Sequence, residues 1–225
     1  MKIAHISDVH IRNYRYHKEY QEVFEQLYKK LEELKPDIIV NTGDTAHTKL
    51  NLSPSYFDMA AKMFKRLGDI APYHVILGNH DLNLRNLSRV DAITPIVEAL
   101  GHPNIFLHKD TAQVDVGNDC VLNVLSIVDP ENWEPPNDKE KINIALYHGC
   151  VSGVTTDAGF VLSHGDISLS ELMGYDYVLL GDIHKTNQEV DKKGKMRYPG
   201  SLIQQNFGET GDKGFLLWDI KSKDE

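Results

Sequence analysis

The run Tyr73-His74-Val75-Ile76-Leu77 leads straight into Gly78-Asn79-His80-Asp81. A short apolar run closed by turn residues reads as a buried strand, so the polar tetrad occupies the turn at its carboxyl end. The tetrad puts an amide oxygen, an imidazole and a carboxylate on one tight turn. That combination suits a site where an amide ligates a metal while its neighbour moves a proton. A polar turn after a buried strand accounts equally well for four residues taken alone. The rest of the chain separates the two readings, because four other short polar clusters also follow apolar runs.

Upstream, Lys2-Ile3-Ala4-His5-Ile6 reads as a strand ending in Ser7-Asp8-Val9-His10, and a signal peptide is not indicated. On an extended backbone Asp8 and His10 point to one side and form a carboxylate–imidazole pair of the metal-binding type; His5, of opposite parity, is structural. An amphipathic helix over 18–34 follows, with Tyr20, Val23, Phe24, Leu27, Leu31 and Leu34 on one face, and Pro36 ends it. The strand 37–41 delivers Thr42-Gly43-Asp44-Thr45-Ala46-His47. Ser53-Pro54 then caps a helix running through Leu67. Strand–helix–strand alternation implies a parallel sheet, whose ligand site lies beyond the carboxyl ends of the strands. All three motifs fall there.

Downstream, residues 88–100 read as a helix interrupted near Pro95. Strands are predicted over 104–107, 111–116 and 120–128, with a more antiparallel second half. Ile142 to Tyr147 is a strand followed by His148-Gly149, and a Gly- and Ser-containing loop over 151–165 is expected to cover the site, its His164 on the surface. Ser168 to Glu171 has capping-box spacing. Tyr177-Val178-Leu179-Leu180 precedes Gly181-Asp182-Ile183-His184, which repeats the Asp8/His10 spacing; a hairpin at 191–194 and a closing strand over 214–220 complete the chain.

With 225 residues, one substantial core and one domain are expected. A formal charge of −9 argues against a generally basic nucleic-acid-binding surface. It leaves a nuclease open, since bound divalent cations reverse the local sign where phosphates sit. Two unpaired-looking cysteines, Cys120 and Cys150, and no run of 18 apolar residues suggest a cytoplasmic protein that spans no membrane.

Collected at strand ends are Asp8, His10, Asp44, Asn79, His148, Asp182 and His184. The set suits two adjacent ions sharing one carboxylate, and mixed oxygen and nitrogen ligands favour Mn²⁺, Fe or Zn²⁺ over a Mg²⁺ cage. The order D-x-H, GD-x-x-H, GNHD, a lone His, then G-x-x-H resembles the calcineurin-like metallophosphoesterase superfamily. The runs GDTAH, LGDIHK and Tyr198-Pro199-Gly200-Ser201 are similar to those of SbcD-type DNA repair nucleases.

The resemblance implies an α/β fold, a two-sheet sandwich flanked by helices, with a dinuclear site. By position, Asp8, His10 and His184 would hold one ion, Asn79, His148 and Asp182 the other, and Asp44 would bridge. A hydroxide shared by the ions would attack phosphorus in line. His80 matches the family's proton donor, with Asp81 able to orient it, and His47 matches a residue that contacts the phosphate. The implied activity is a DNA nuclease: a 3'–5' exonuclease with single-strand endonuclease activity, acting in DNA repair or recombination.

Two departures stand out. The family reads G-H-x-H in the last motif where this chain has Asp182, so two divalent ions would carry one less net positive charge and the site would favour harder metals. The chain also stops soon after its closing strand, at Lys221-Ser222-Lys223-Asp224-Glu225, so the family's DNA-recognising cap and the segment docking an SbcC-type ATPase partner are expected to be absent. Leu82, Leu84 and Leu87 are candidates for either a homodimer contact or the core. The alternatives to a DNA nuclease are a phosphodiesterase or phosphatase acting on nucleotides, and a binding module that reuses the fold.

Overall fold

The computed structural model describes residues 1–221; the terminal run 222–225 lies outside the described residues. Chain order is β1 (Lys2–Ile6), α1 (His17–Leu34), β2 (Ile38–Asn41), α2 (Pro54–Ile70), β3 (Tyr73–Ile76), α3 (Thr94–Leu100) and β4 (Ile105–His108). Then come β5 (Ala112–Asp115), β6 (Cys120–Leu125), β7 (Ile142–His148), the ribbon β8 (Val154–Thr155) and β9 (Val161–Leu162), β10 (Tyr177–Gly181), β11 (Gln188–Glu189), β12 (Met196–Tyr198) and β13 (Leu216–Asp219).

The first sheet has the order β13-β1-β2-β3-β4, with β1 to β4 parallel and β13 antiparallel at the edge. The second runs β11-β12-β10-β7-β6-β5. Its centre, β12-β10-β7-β6, is parallel, and only the edge strands β5 and β11 are antiparallel. The antiparallel character expected of the second half is therefore confined to the sheet edges and the separate β8–β9 ribbon. A parallel pair needs a long crossover, usually a helix. Here the residues between β7 and β10 make that crossover with a ribbon and one 3-10 turn, so no amphipathic period marks it.

Ile3, Ile38, Val40 and Ile76 of the first sheet pack between the sheets against Leu122, Ile144, Leu146 and Leu179 of the second. The outer face of the first sheet buries Ile39, Tyr73 and Val75 under Phe24, Leu31, Met63 and Phe64 of α1 and α2. All three helices share that core cluster. The outer face of the second sheet, with Ala145, Val178 and Tyr198, is covered by Val151, Val154, Ile167 and Leu172 from loops, ribbon and turn. The molecule is thus a two-sheet sandwich with helices on one side.

The helices follow their end signals. Ser53 Oγ accepts the Tyr56 N–H at 3.1 Å and Pro54 opens α2. The predicted helix over 88–100 forms only from Thr94. The Asp91 carboxylate takes the Ile93 and Thr94 N–H groups at 2.9 and 2.7 Å, so Pro95 stands in the first turn, where its missing N–H costs nothing. Leu82 is buried in the core, whereas Leu84 and Leu87 are exposed. No helix among the described residues is long and apolar enough to cross a membrane.

Candidate active site

Five strands bring the motif residues to one place. Asp8 and His10 follow β1, Asp44 follows β2, Asn79 to Asp81 follow β3, His148 ends β7, and Asp182 and His184 follow β10. The first three strands belong to one sheet and the last two to the other, so the site lies where the carboxyl ends of both sheets meet.

Asp8 and His10 do not converge by strand alternation as expected. Both are left-handed, with φ of 52° and 50°, as are Asp44 (56°) and Asp182 (94°). Non-glycine residues in that region cluster at sites where surrounding structure over-determines them. Here the Asp8 N–H donates to Gly43 O at 3.1 Å and the His10 N–H to Asp44 O at 2.9 Å, which ties the two loops together residue by residue.

Asp44 stands at the centre. Its Oδ2 lies 3.5 Å from His10 Nε2 and its Oδ1 lies 3.4 Å from His148 Nε2, so one carboxylate faces two imidazoles. Around His10, the Nε2 of His184 is 3.0 Å away and Asp8 Oδ1 is 3.9 Å from both nitrogens. Around His148, Asp182 Oδ1 lies 3.8 Å from Nε2, and the Asn79 amide nitrogen is 3.2 Å from that oxygen. Three donor triads result: Asp8–His10–His184, His10–Asp44–His80 and Asp8–Asp44–His148.

Two hydrogen bonds fix which nitrogens face inward. His148 Nδ1 is 2.7 Å from Thr42 O, an atom that only accepts, so Nδ1 carries the hydrogen and Nε2 faces the carboxylates. His184 Nδ1 likewise donates to Glu209 Oε1 at 2.8 Å. His148 Nε2 is buried without a hydrogen-bond partner. An imidazole lone pair opposed by carboxylate oxygens calls for a positive charge between them, and a divalent cation supplies it. The electrostatics show the same pull towards positive charge at this position. Burial pushes Asp8 up to about 6. Burial also opposes the charged forms of Asp44 and His148, yet His148 and His10 hold Asp44 below the usual carboxylate range, while Asp44, Asp8 and Asp182 raise His148. The donor set therefore fits the two ions that the family's site would hold.

Close approach demands glycine here. A Cβ on Gly78 would stand 2.2 Å from Asp44 Oδ1, and one on Gly43 (φ +100°) 2.7 Å from His148 Nδ1. Two openings flank the cluster, about 430 Å³ beside Asn79 and His148 and about 290 Å³ beside Asp182 and His184. Thr156, Asp157 and Ala158 line the second opening, so the 151–165 loop does border the site; His164 is exposed.

Asp81 departs from its expected role. It is buried, and its carboxylate accepts the N–H groups of Asp44, Gly78 and Ala46 at 2.9, 3.0 and 2.8 Å. Neighbours on a turn point apart, so Asp81 pins the Asp44 loop to the β3 turn and does not orient the His80 imidazole. That is done by the His47 carbonyl, which accepts from His80 Nδ1 at 2.8 Å. The His80 ring stands edge-on to His10 with centroids 4.9 Å apart, and His47 is 5.7 Å from His10. Asn79 presents its amide nitrogen, not its oxygen, to Asp182.

Sequence reading missed Glu209. From a segment without regular structure it receives His184 Nδ1–H, the Ser201 hydroxyl at 3.1 Å, the Gln205 N–H at 3.0 Å and the Asn206 amide at 2.9 Å. Lys213 lies 3.2 Å away and also pairs with Asp157. Burial works against the charge on Glu209, but His184 and the Gln205 N–H bring its pKa down to about 2. Carboxylate–histidine pairs of this kind set the ring orientation and basicity of a ligand.

The chain matches the calcineurin-like phosphoesterase family over residues 1–197 and belongs to it. That family defines a class of phosphoester hydrolases with a dinuclear metal site. An uncharacterized protein, R555, of Acanthamoeba polyphaga mimivirus is 38% identical over 236 residues, covering 98% of this chain. The putative phosphoesterase 244L of Invertebrate iridescent virus 6 is 27% identical over 213 residues and 86% of the chain. The DNA double-strand break repair protein Mre11 of Methanocaldococcus jannaschii is 27% identical over 248 residues and 100% of the chain. The chain spans 17%, 68% and 64% of those three proteins respectively.

Proposed function

We propose that this chain is a divalent-metal-dependent DNA nuclease, a 3'–5' exonuclease with single-strand endonuclease activity, working in DNA repair or recombination. The observation that carries the phosphodiester chemistry is Asp44 set between His10 and His148, with Asp8 and His184 beside the first and Asp182 beside the second. DNA as the substrate is supported by the likeness to an archaeal Mre11 along the whole chain.

In this reading Asp8, His10 and His184 would hold one ion and Asp182, His148 and Asn79 the other, with Asp44 between them; Asn79 would ligate after its amide turns over. Two such ions supply a nucleophile at neutral pH and positive charge for the phosphate. Manganese suits the mixed oxygen and nitrogen set best, with Fe, Zn²⁺ and Mg²⁺ as the other candidates. His80 holds the proton for the leaving oxygen. With Nδ1–H committed to the His47 carbonyl, Nε2 is the nitrogen that presents it. His47, whose Nδ1 is buried and unpartnered, contacts the phosphate.

End-labelled single and double strands incubated with and without Mn²⁺ test the proposal. Metal-dependent shortening of single strands is expected, and no cleavage of either substrate would overturn the nuclease reading. The net charge of −9 favours a second reading, a nucleotide phosphodiesterase or phosphatase. Faster turnover of a nucleotide ester than of DNA would establish it.

A further inference from the structure

Arg12-Asn13-Tyr14-Arg15-Tyr16-His17-Lys18 contains three of the chain's cations and no acid, in a protein of net charge −9. It begins two residues after His10, beyond the carboxyl end of β1. Tyr14 is 79% and Tyr16 48% exposed, although large aromatic side chains ordinarily bury most of their surface. Tyr16 has φ 62°, an outlying conformation for a bulky residue. Its carbonyl accepts the Tyr20 N–H at 2.8 Å, and the Arg12 guanidinium lies 5.8 Å from its ring centroid.

A second exposed ring stands across from it. Phe207 is 104% exposed, and it and Tyr16 line one cavity of about 300 Å³ with Glu19, Ile203 and the turn 204–206. Arg12 joins the two halves by donating from Nη2 to Gln205 O at 3.1 Å, while its Nε has no partner. The same turn borders the metal cluster. Asn206 lines the opening that holds Asp182 and His184, and its amide meets the Glu209 oxygen that receives His184 Nδ1–H. Phe207 therefore crowns a ridge with the ligand cluster on one side and Tyr16 on the other.

We infer that Tyr16 and Phe207, with Arg12 and Arg15, form a stacking platform for the bases of a single-stranded polynucleotide whose backbone leads out of the metal cluster. Aromatic faces give sequence-tolerant purchase on unpaired bases, and cations beside them track the phosphates. A duplex keeps its bases stacked on one another and cannot use such rings. The inference rests on the nuclease reading and narrows its substrate to unpaired strands.

The test is equilibrium binding, with Ca²⁺ in place of Mn²⁺, of labelled oligothymidylate of about ten nucleotides against an abasic chain of the same length. Oligodeoxyuridylate and oligouridylate run alongside tell DNA from RNA by which sugar binds tighter. Wild-type protein is expected to prefer the chain with bases roughly five- to hundredfold. Tyr16→Ala and Phe207→Ala are expected to lose that preference and Tyr16→Phe to keep it. Phe106→Ala, an exposed ring on the edge strand β4, is the control that leaves binding unchanged. Phe207 packs on nothing, so its variant decides the matter even if Tyr16→Ala misfolds. A base-dependent preference that survives Phe207→Ala and Tyr16→Ala overturns the platform. Should wild-type protein show the preference yet cleave no DNA, the platform stands and the nuclease reading falls. Cleavage without any preference has the opposite meaning.

Discussion

Replacing His80 by alanine removes the nitrogen that would protonate the leaving oxygen while leaving Asp8, Asp44, His148 and His184 in place. Turnover is expected to fall by about 10²–10⁴, with metal content by mass spectrometry unchanged; a parallel loss of metal would make His80 a ligand, as its membership of one donor triad permits. Asp182→His restores one net positive charge to the ion pair. The variant should bind Zn²⁺ relative to Mn²⁺ better than the parent and show a lower KM for a diester, and a large fall in metal occupancy would contradict this. Glu209→Gln keeps an acceptor for His184 Nδ1–H but removes its charge. Calorimetric titration should show one of two Mn²⁺ sites weakened about tenfold, approaching a hundredfold for Glu209→Ala. Equal affinities in all three proteins would make Glu209 a packing residue.

Among the elements, β3 and β4 carry a titration unrelated to the cluster. His74 is 4% exposed on β3, its Nδ1 2.9 Å from His108 Nε2, and burial lowers its pKa to about 4. A folded-state value below the unfolded one means the unfolded chain takes up the proton first as pH falls. The neutral histidine therefore stabilises fully above the unfolded value near 6.5, and that stability is lost progressively down to pH 4. Roughly 2 kcal/mol is expected to disappear between pH 7 and 5 from His74 alone, read as a lower urea midpoint that His74→Phe flattens. The strands that place the site were legible because each is an apolar run closed by a turn bearing a carboxylate, amide or imidazole. What escaped was set by contacts that are distant in sequence or lie on a turn. The Asp91 cap moved the start of α3. A helix-free crossover hid the parallel pairing of β7 with β10. Asp81 took backbone donors from another loop in preference to its neighbour's ring. Glu209 meets His184 from an aperiodic segment 25 residues away.

For the whole molecule, ions held at the cluster would be part of the stability of the fold. The buried carboxylates Asp8 and Asp44 stand in the donor triads, and Asp182 lies 3.8 Å from His148 beside them. Saturating the sites with Mn²⁺ at about a hundred times Kd should add on the order of 2.7 kcal/mol per site, and EDTA should remove it. For a domain of this size that corresponds to a shift of roughly 5–10 °C in Tm per site. Differential scanning calorimetry with and without chelator measures it, and coincident transitions would show that nothing binds.

The ligands are divided between two sheets, and the last of them, His184, depends on Glu209, far along the chain. A ribosome-bound polypeptide that has already folded β1 to β4 owns Asp8, His10, Asp44 and Asn79 but lacks both distal histidines. Such a nascent fragment holds neither donor set complete. The donor set is therefore completed in one step, when the second half closes over the first, so the architecture ties a finished site to a finished chain.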